Sequence, residues 1–136
     1  MPFQWNMYMA TGVPEIDKQH KDIFQRINEF VNAIMNETES ENIETLLNFL
    51  KSHATAMFQT EEKLLQDRKY PDLVVHKAQH DYFIRTLEAL KRDHEAGTAG
   101  DKFTSDVHQR VCNWITIHLS KTDMQWVNFL KSVPQP

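Results

Sequence analysis

Residues 73–90 read LVVHKAQHDYFIRTLEAL, and this stretch decides the fold. Leu73, His76, His80, Phe83, Leu87 and Leu90 recur at steps of three and four, the period that lines one face of an α-helix. Two of these six positions are histidines. They stand four apart, about 40° around a helix, so both rings point into the same space. Alone, His-x-x-x-His is a frequent chance pattern, and its meaning depends on the rest of the chain.

Three other segments carry the same period. His20, Ile23, Phe24, Ile27, Phe30, Val31 and Ile34 form the first stripe. Ile43, Leu46, Leu47, Leu50, Met57, Glu61, Leu64 and Leu65 form the second. Phe103, Val107, Val111, Trp114, Ile115 and His118 form the last, continued by Trp126 and Phe129. Pro14 and Glu15 suit the first turn of the first helix. Ser40 or Glu41 opens the second, and Tyr70-Pro71 closes the turn after it. Gly97 and Gly100 mark the exit from the third, and Pro134 lies beyond the fourth. The expected helices are roughly 13–37, 41–67, 71–95 and 101–131, joined by short connections that make sequential neighbours antiparallel. The expected fold is all-α: an antiparallel up-down-up-down four-helix bundle, one domain over 1–136. An N-terminal arm, 1–12, carries Phe3, Trp5, Met7, Tyr8 and Met9 and is too apolar to leave the bundle.

Composition narrows the function. A chain of 136 residues, 40% hydrophobic and 25% charged, is enough for one core and not comfortably for two. The formal charge is −4 with no basic run, which argues against nucleic-acid binding. A single cysteine, Cys112, excludes an internal disulfide and a Cys-based zinc or iron–sulfur site, and it reads as a small buried hydrophobe. No secretory signal is visible in the first ten residues, and no run approaches the ~18 apolar residues of a membrane span, so a cytoplasmic location is expected. No Gly-rich phosphate loop and no Ser-His-Asp spacing can be read. The number that stands out is 7 His.

The informative feature is which polar residues interrupt the apolar stripes. His20, Glu61, His76, His80 and His118 sit where the pattern calls for Leu or Ile. One such His is usually a satisfied core residue, and one buried Glu costs several kcal/mol unless paired. Five on four converging faces need a common partner, and a metal cation takes imidazole and carboxylate together. More than four donors exceeds a tetrahedral zinc site and favours two metals. Asp123 follows His118 by five residues, about 140° around a regular helix. Either the helix is irregular there or the carboxylate reaches round. Without a cation this core must be neutralised by protonation or pairing, and joint ionisation of its carboxylates is expected to weaken it.

These residues resemble the hemerythrin family. The arm and first helix offer Trp5, Tyr8 and the run Gly12-Val13-Pro14-Glu15-Ile16-Asp17-Lys18-Gln19-His20. Then follow Glu61-Glu62-x-Leu64-Leu65, Tyr70-Pro71, His76-x-x-x-His80 and Trp114-x-x-x-His118-x-x-x-x-Asp123, in the family's order over nearly the whole chain. The resemblance implies two non-haem Fe ions with an oxo or hydroxo bridge. One iron takes His76, His80 and His118, and the other takes two His, the first being His20. Glu61 and Asp123 bridge them, and O2 binds at an open position on the second iron beside an apolar residue, Ile115. It also implies O2, or another small ligand such as NO or azide, as the partner. No nucleic acid is implied, and a membrane or enzyme acceptor of O2 is compatible with it.

The chain departs from the family at one ligand. The second helix normally offers His-x-x-x-Glu, and the residue four before Glu61 is Met57. A thioether is a soft donor and a poor match for iron; packing is its simplest role. His53 lies one turn earlier, about 6 Å along the axis, and would reach the metal only through a shift or bulge. Glu15, Asp17 and Asp22 suit a first turn and need no other role, and His94 and His108 read as solvated. The expected function is therefore reversible O2 binding by a diiron carrier, store or sensor that is not an enzyme. The rivals prompted by Met57 are a diiron oxidase or peroxidase, an NO-handling protein and a metal-storage bundle.

Overall fold

A computed structural model describes residues 4–36, 40–97 and 100–133. The expectations for Phe3, residue 37 and Pro134 lie outside these. Among the described residues every regular element is helical, and the chain is a four-helix bundle. Helix α1 spans Pro14–Met35, α2 Ser40–Asp67 and α3 Leu73–Glu95. The fourth helix is continuous but not uniform. It consists of α4 (Gly100–Val107), a π-helical segment His108–Asn113, α5 (Trp114–Ile117), a second π-helical segment His118–Thr122, and α6 (Asp123–Ser132).

Local chemistry sets the ends. Pro14 opens α1, where its missing N–H is no loss. After α2, Lys69 adopts φ 56° and the Tyr70 N–H returns to the Leu65 carbonyl at 2.9 Å, which turns the chain into α3. Gly97, at φ 72°, ends α3 in the left-handed conformation that glycine adopts without a Cβ penalty. α1 packs on α2, α2 on α3, and the fourth helix on α3 and α1.

The apolar stripes bury into two clusters, one toward each end of the bundle. The larger takes Ile23, Phe24, Ile27 and Phe30 of α1, Leu47, Leu50, Ala54, Met57 and Phe58 of α2, Phe83, Leu87 and Leu90 of α3, and Val107, Val111 and Ile115 of the fourth helix. The smaller takes Ile16, Leu65, Tyr70, Trp126 and Val127. On α1 and α3 the larger cluster follows His20 and His80; on α2 it precedes Glu61 and on the fourth helix it lies almost wholly before His118. The polar residues of the stripes therefore form one layer between two dry ends.

Asp17, besides sitting in the first turn of α1, ties down the arm. The Asp17 carboxylate accepts from the Thr11 N–H at 2.8 Å, the Thr11 hydroxyl at 2.9 Å and the Gly12 N–H at 3.3 Å. Gly12, at φ 82°, makes this turn. The arm's Met9 is buried and Trp5 packs against the larger cluster, whereas Met7 and Tyr8 are exposed.

Candidate metal centre

Six side chains from all four helices meet in the polar layer. α1 supplies His20, α2 Glu61, α3 His76 and His80, and the fourth helix His118 and Asp123. None is more than 3% exposed. One donor atom from each of Glu61, His76, His80, His118 and Asp123 can be chosen so that all lie within 4.8 Å of one another. The Asp123 problem is solved by the backbone. Across the second π-helical segment the Asp123 N–H pairs with the His118 carbonyl, five residues back. The wider turn rotates Asp123 onto the face of His118, and its Oδ1 lies 3.1 Å from His118 Nε2.

The carboxylates divide their oxygens between two sides. Glu61 Oε1 lies 2.5 Å from His76 Nε2 and 3.1 Å from His80 Nε2. Asp123 Oδ1 lies 3.2 Å from His76 Nε2 as well as against His118. The other oxygens face α1: His20 Nε2 is 3.4 Å from Glu61 Oε2 and 3.6 Å from Asp123 Oδ2. One side thus gathers three imidazoles and two carboxylate oxygens, and the other gathers one imidazole and two.

Around this set lies a supporting shell. Glu62 Oε2 accepts from His80 Nδ1 at 2.7 Å, which orients the ring so that Nε2 faces the centre. Phe58 stacks on His80 at 3.9 Å and Trp114 stacks on His118 at 4.5 Å, with 8° and 10° between planes. The Trp126 indole N–H donates to Asp123 Oδ1 at 3.2 Å. Tyr70 meets His76 edge-on at 6.3 Å. The apolar stripe of the fourth helix includes Trp126, but the sequence pattern assigns no role to Phe58 or Glu62. The doubled Glu61-Glu62 was the available signal, since adjacent helical residues can serve a ligand and its neighbour.

The buried carboxylates and imidazoles shift one another's titration. Burial would raise the Glu61 carboxyl, but the imidazoles of His20, His76 and His80 outweigh it and hold the pKa well below the carboxylate range. Burial would lower His76, yet Asp123 and Glu61 push it up to about 9. His80 also moves up, against burial, through Glu61 and Glu62. The Glu61 carboxylate is thus held in its ionised form by the neighbouring imidazoles.

A metal fits this donor set. Both ring nitrogens of His20, Nδ1 of His118 and Oδ2 of Asp123 are buried without a hydrogen-bond partner. Orphaned buried groups of this kind are costly, and on the α1 side His20 Nε2 and Asp123 Oδ2 face each other across a gap that a cation would satisfy.

The remaining candidates fall outside the layer. Helix α2 is α-helical throughout, so no bulge draws His53 inward; it stays one turn beyond Met57, half-buried. Met57 is 1% exposed and packed in the larger cluster with Ile115, which is fully buried. His94 is not solvated as expected: its side chain is 11% exposed, with Nδ1 3.4 Å from Glu44 Oε1. His108 is exposed.

Comparison with known proteins agrees with this architecture. Residues 11–130 match the family described as Hemerythrin HHE cation binding domain. The chain is 26% identical to a bacteriohemerythrin of Clostridium acetobutylicum over 129 residues, 93% of this chain and 99% of that protein. It is 29% identical to a hemerythrin-like protein of Naegleria gruberi over 95% of this chain and 94% of that protein. It is 24% identical to a myohemerythrin of Theromyzon tessulatum over 92% of this chain and 91% of that protein.

Proposed function

The chain belongs to the hemerythrin family, and from that premise we propose that it is a non-haem diiron protein that binds O2 reversibly as a carrier, store or sensor, not an enzyme. The observation that carries the two-metal reading is the division of the Glu61 and Asp123 oxygens between His76, His80 and His118 on one side and His20 on the other. In this reading those six residues hold two irons joined by an oxo or hydroxo bridge. When bound, the iron pair supplies the two electrons that reversible O2 binding requires.

The chain's own residues supply the rest. Glu61 and Asp123 offer the negative charge that two cations need, and Trp126 holds one oxygen of Asp123 in place. Glu62 keeps a proton on His80 Nδ1, leaving Nε2 free to ligate. His76 must lose its proton before it can ligate, so metal uptake releases protons below pH 9 or so. Met57, Ile115, Ile23 and Phe24, none more than 2% exposed, exclude water from the neighbouring space. A dry wall of this kind disfavours escape of charged oxygen species. NO and azide are small enough to be expected at the same place as O2.

The test is anaerobic iron loading followed by repeated exposure to O2 and argon, read by visible absorption. Bands that appear with O2 and vanish with argon over several cycles support reversible binding. Irreversible conversion with consumption of peroxide or NO supports the oxidase, peroxidase or NO-handling reading that Met57 raises.

A further inference from the structure

The side of the polar layer that faces the larger cluster has a definite lining. α2 and the fourth helix run in the same direction, opposite to α1. Four residues back from Glu61, three back from His118, and three and four onward from His20 therefore fall at one level of the bundle. These are Met57, Ile115, Ile23 and Phe24, all members of one buried cluster. Their exposures are 1%, 0%, 0% and 2%. The Met57 sulfur is the one heteroatom that these four side chains present.

Its lateral position matters too. The one-histidine side is built by His20 of α1, Glu61 Oε2 of α2 and Asp123 Oδ2 of the fourth helix. Helical side chains slant toward the N-terminus, so the Glu61 carboxylate leans back over the turn that carries Met57 and Phe58. The thioether therefore borders the side where donors are fewest, and where an exogenous ligand meets least competition. Its burial shields it from oxidants in bulk solvent, while Met7 and Met35, 85% and 65% exposed, have no such shield.

We propose that Met57 is a modification site: hydrogen peroxide activated on the His20 side of the iron-loaded centre transfers an oxygen atom to the Met57 sulfur. The proposal rests on the two-metal reading. The peroxide O–O bond breaks and an S–O bond forms. The thioether is oxidised by two electrons to the sulfoxide, peroxide is reduced by two, and its second oxygen leaves with both protons as water. The product replaces a soft sulfur with a polar oxygen, a harder donor that suits iron better. Peroxide exposure would thus complete the deficient side from the chain's own residue.

The chain contains its own controls. Iron-loaded and metal-free protein are treated with hydrogen peroxide, digested, and each methionine peptide is read for a gain of about 16 Da. Met7 and Met35 are expected to gain it in both samples. Met9, buried at 2% exposure in the same cluster but borne on the arm, gains it in neither. Met57 gains it at least ~10-fold faster in the iron-loaded sample, and the rate falls to the metal-free value in Glu61→Gln protein that has lost iron. Unmodified Met57 in a sample with two irons per chain overturns the proposal while leaving the metal reading intact. So does modification at equal rates with and without iron, which assigns the reaction to local opening. A chain that takes up no iron overturns the metal reading and the proposal with it.

Discussion

The two sides of the polar layer are built from the same two carboxylates but differ in everything else. On the α3 side, Glu61 Oε1 and Asp123 Oδ1 face three imidazoles at 2.5–3.2 Å. Two of those rings are stacked on aromatics and one is oriented by Glu62. On the α1 side, Oε2 and Oδ2 face His20 alone at 3.4 and 3.6 Å, and neither ring nitrogen of His20 has a partner. Met57 stands where the family resemblance leads one to expect a second imidazole on this side. The first side is crowded and oriented; the second is spare and unsatisfied. In the proposed two-metal reading, this asymmetry would hold one metal firmly and leave the other accessible to ligands.

The harshest way to break the comparison is His80→Ala, which removes a ligand from the crowded side. The variant should lose the tight iron and the stability linked to it, about 3–4 kcal/mol when metal exceeds its Kd by 100–1,000-fold. Thermal unfolding of the iron-loaded and metal-free forms checks this. Two irons and unchanged spectra in the variant would place the centre elsewhere.

Proton and metal compete for the crowded side, so pH sharpens the contrast. His76 is raised in the folded state from 6.5 to about 9. Its contribution is full below pH 6.5 and is lost as pH rises through 9. Glu61 is lowered, so its contribution is present above its unfolded value of 4.5 and is lost as pH falls below that. The metal-free protein should therefore be most stable between about pH 5 and 6.5. It should lose on the order of 3 kcal/mol by pH 9. Iron affinity runs the other way and rises over that same interval. Urea unfolding of metal-free protein at pH 6, 7.5 and 9, beside iron titrations, reads both trends.

Met57→His should repair the spare side. Restoring an imidazole donor one turn before Glu61 is expected to raise the affinity of the weaker iron about 10–100-fold and to lengthen the lifetime of the oxygenated form. Glu62→Gln should act only on the crowded side. It removes the anionic acceptor at His80 Nδ1 and should weaken the tight iron about tenfold. His53→Ala should change neither, because α2 has no bulge to carry that ring inward. Loss of the weaker iron in this variant would show that His53 is a ligand.

Much of this was legible in the chain. Four apolar stripes of helical period imply four amphipathic helices, and short links leave one simple way to pack them. His20, Glu61, His76, His80 and His118 betrayed themselves as polar residues on apolar faces. Asp123 did not, because periodicity assumes 3.6 residues per turn and the segment His118–Thr122 is wound more widely. The resemblance supplied it instead. Glu62 and Trp114 were invisible as supports because their role depends on another helix, His80 in α3 for the first, and on stacking geometry for the second. Asp17 reads as a first-turn charge, and its three contacts to the arm depend on the turn at Gly12. His94 reads as solvated for a similar reason, since its partner Glu44 lies 50 residues earlier.

The most direct test of the asymmetric two-metal centre is an anaerobic titration of metal-free protein with ferrous iron, followed by calorimetry and closed by metal analysis. The account predicts two irons per chain in two separate phases, the first at least ~10-fold tighter and retained through desalting, the second lost on desalting and made tight by Met57→His. A single phase of two equal irons, or saturation at one iron per chain, would contradict it.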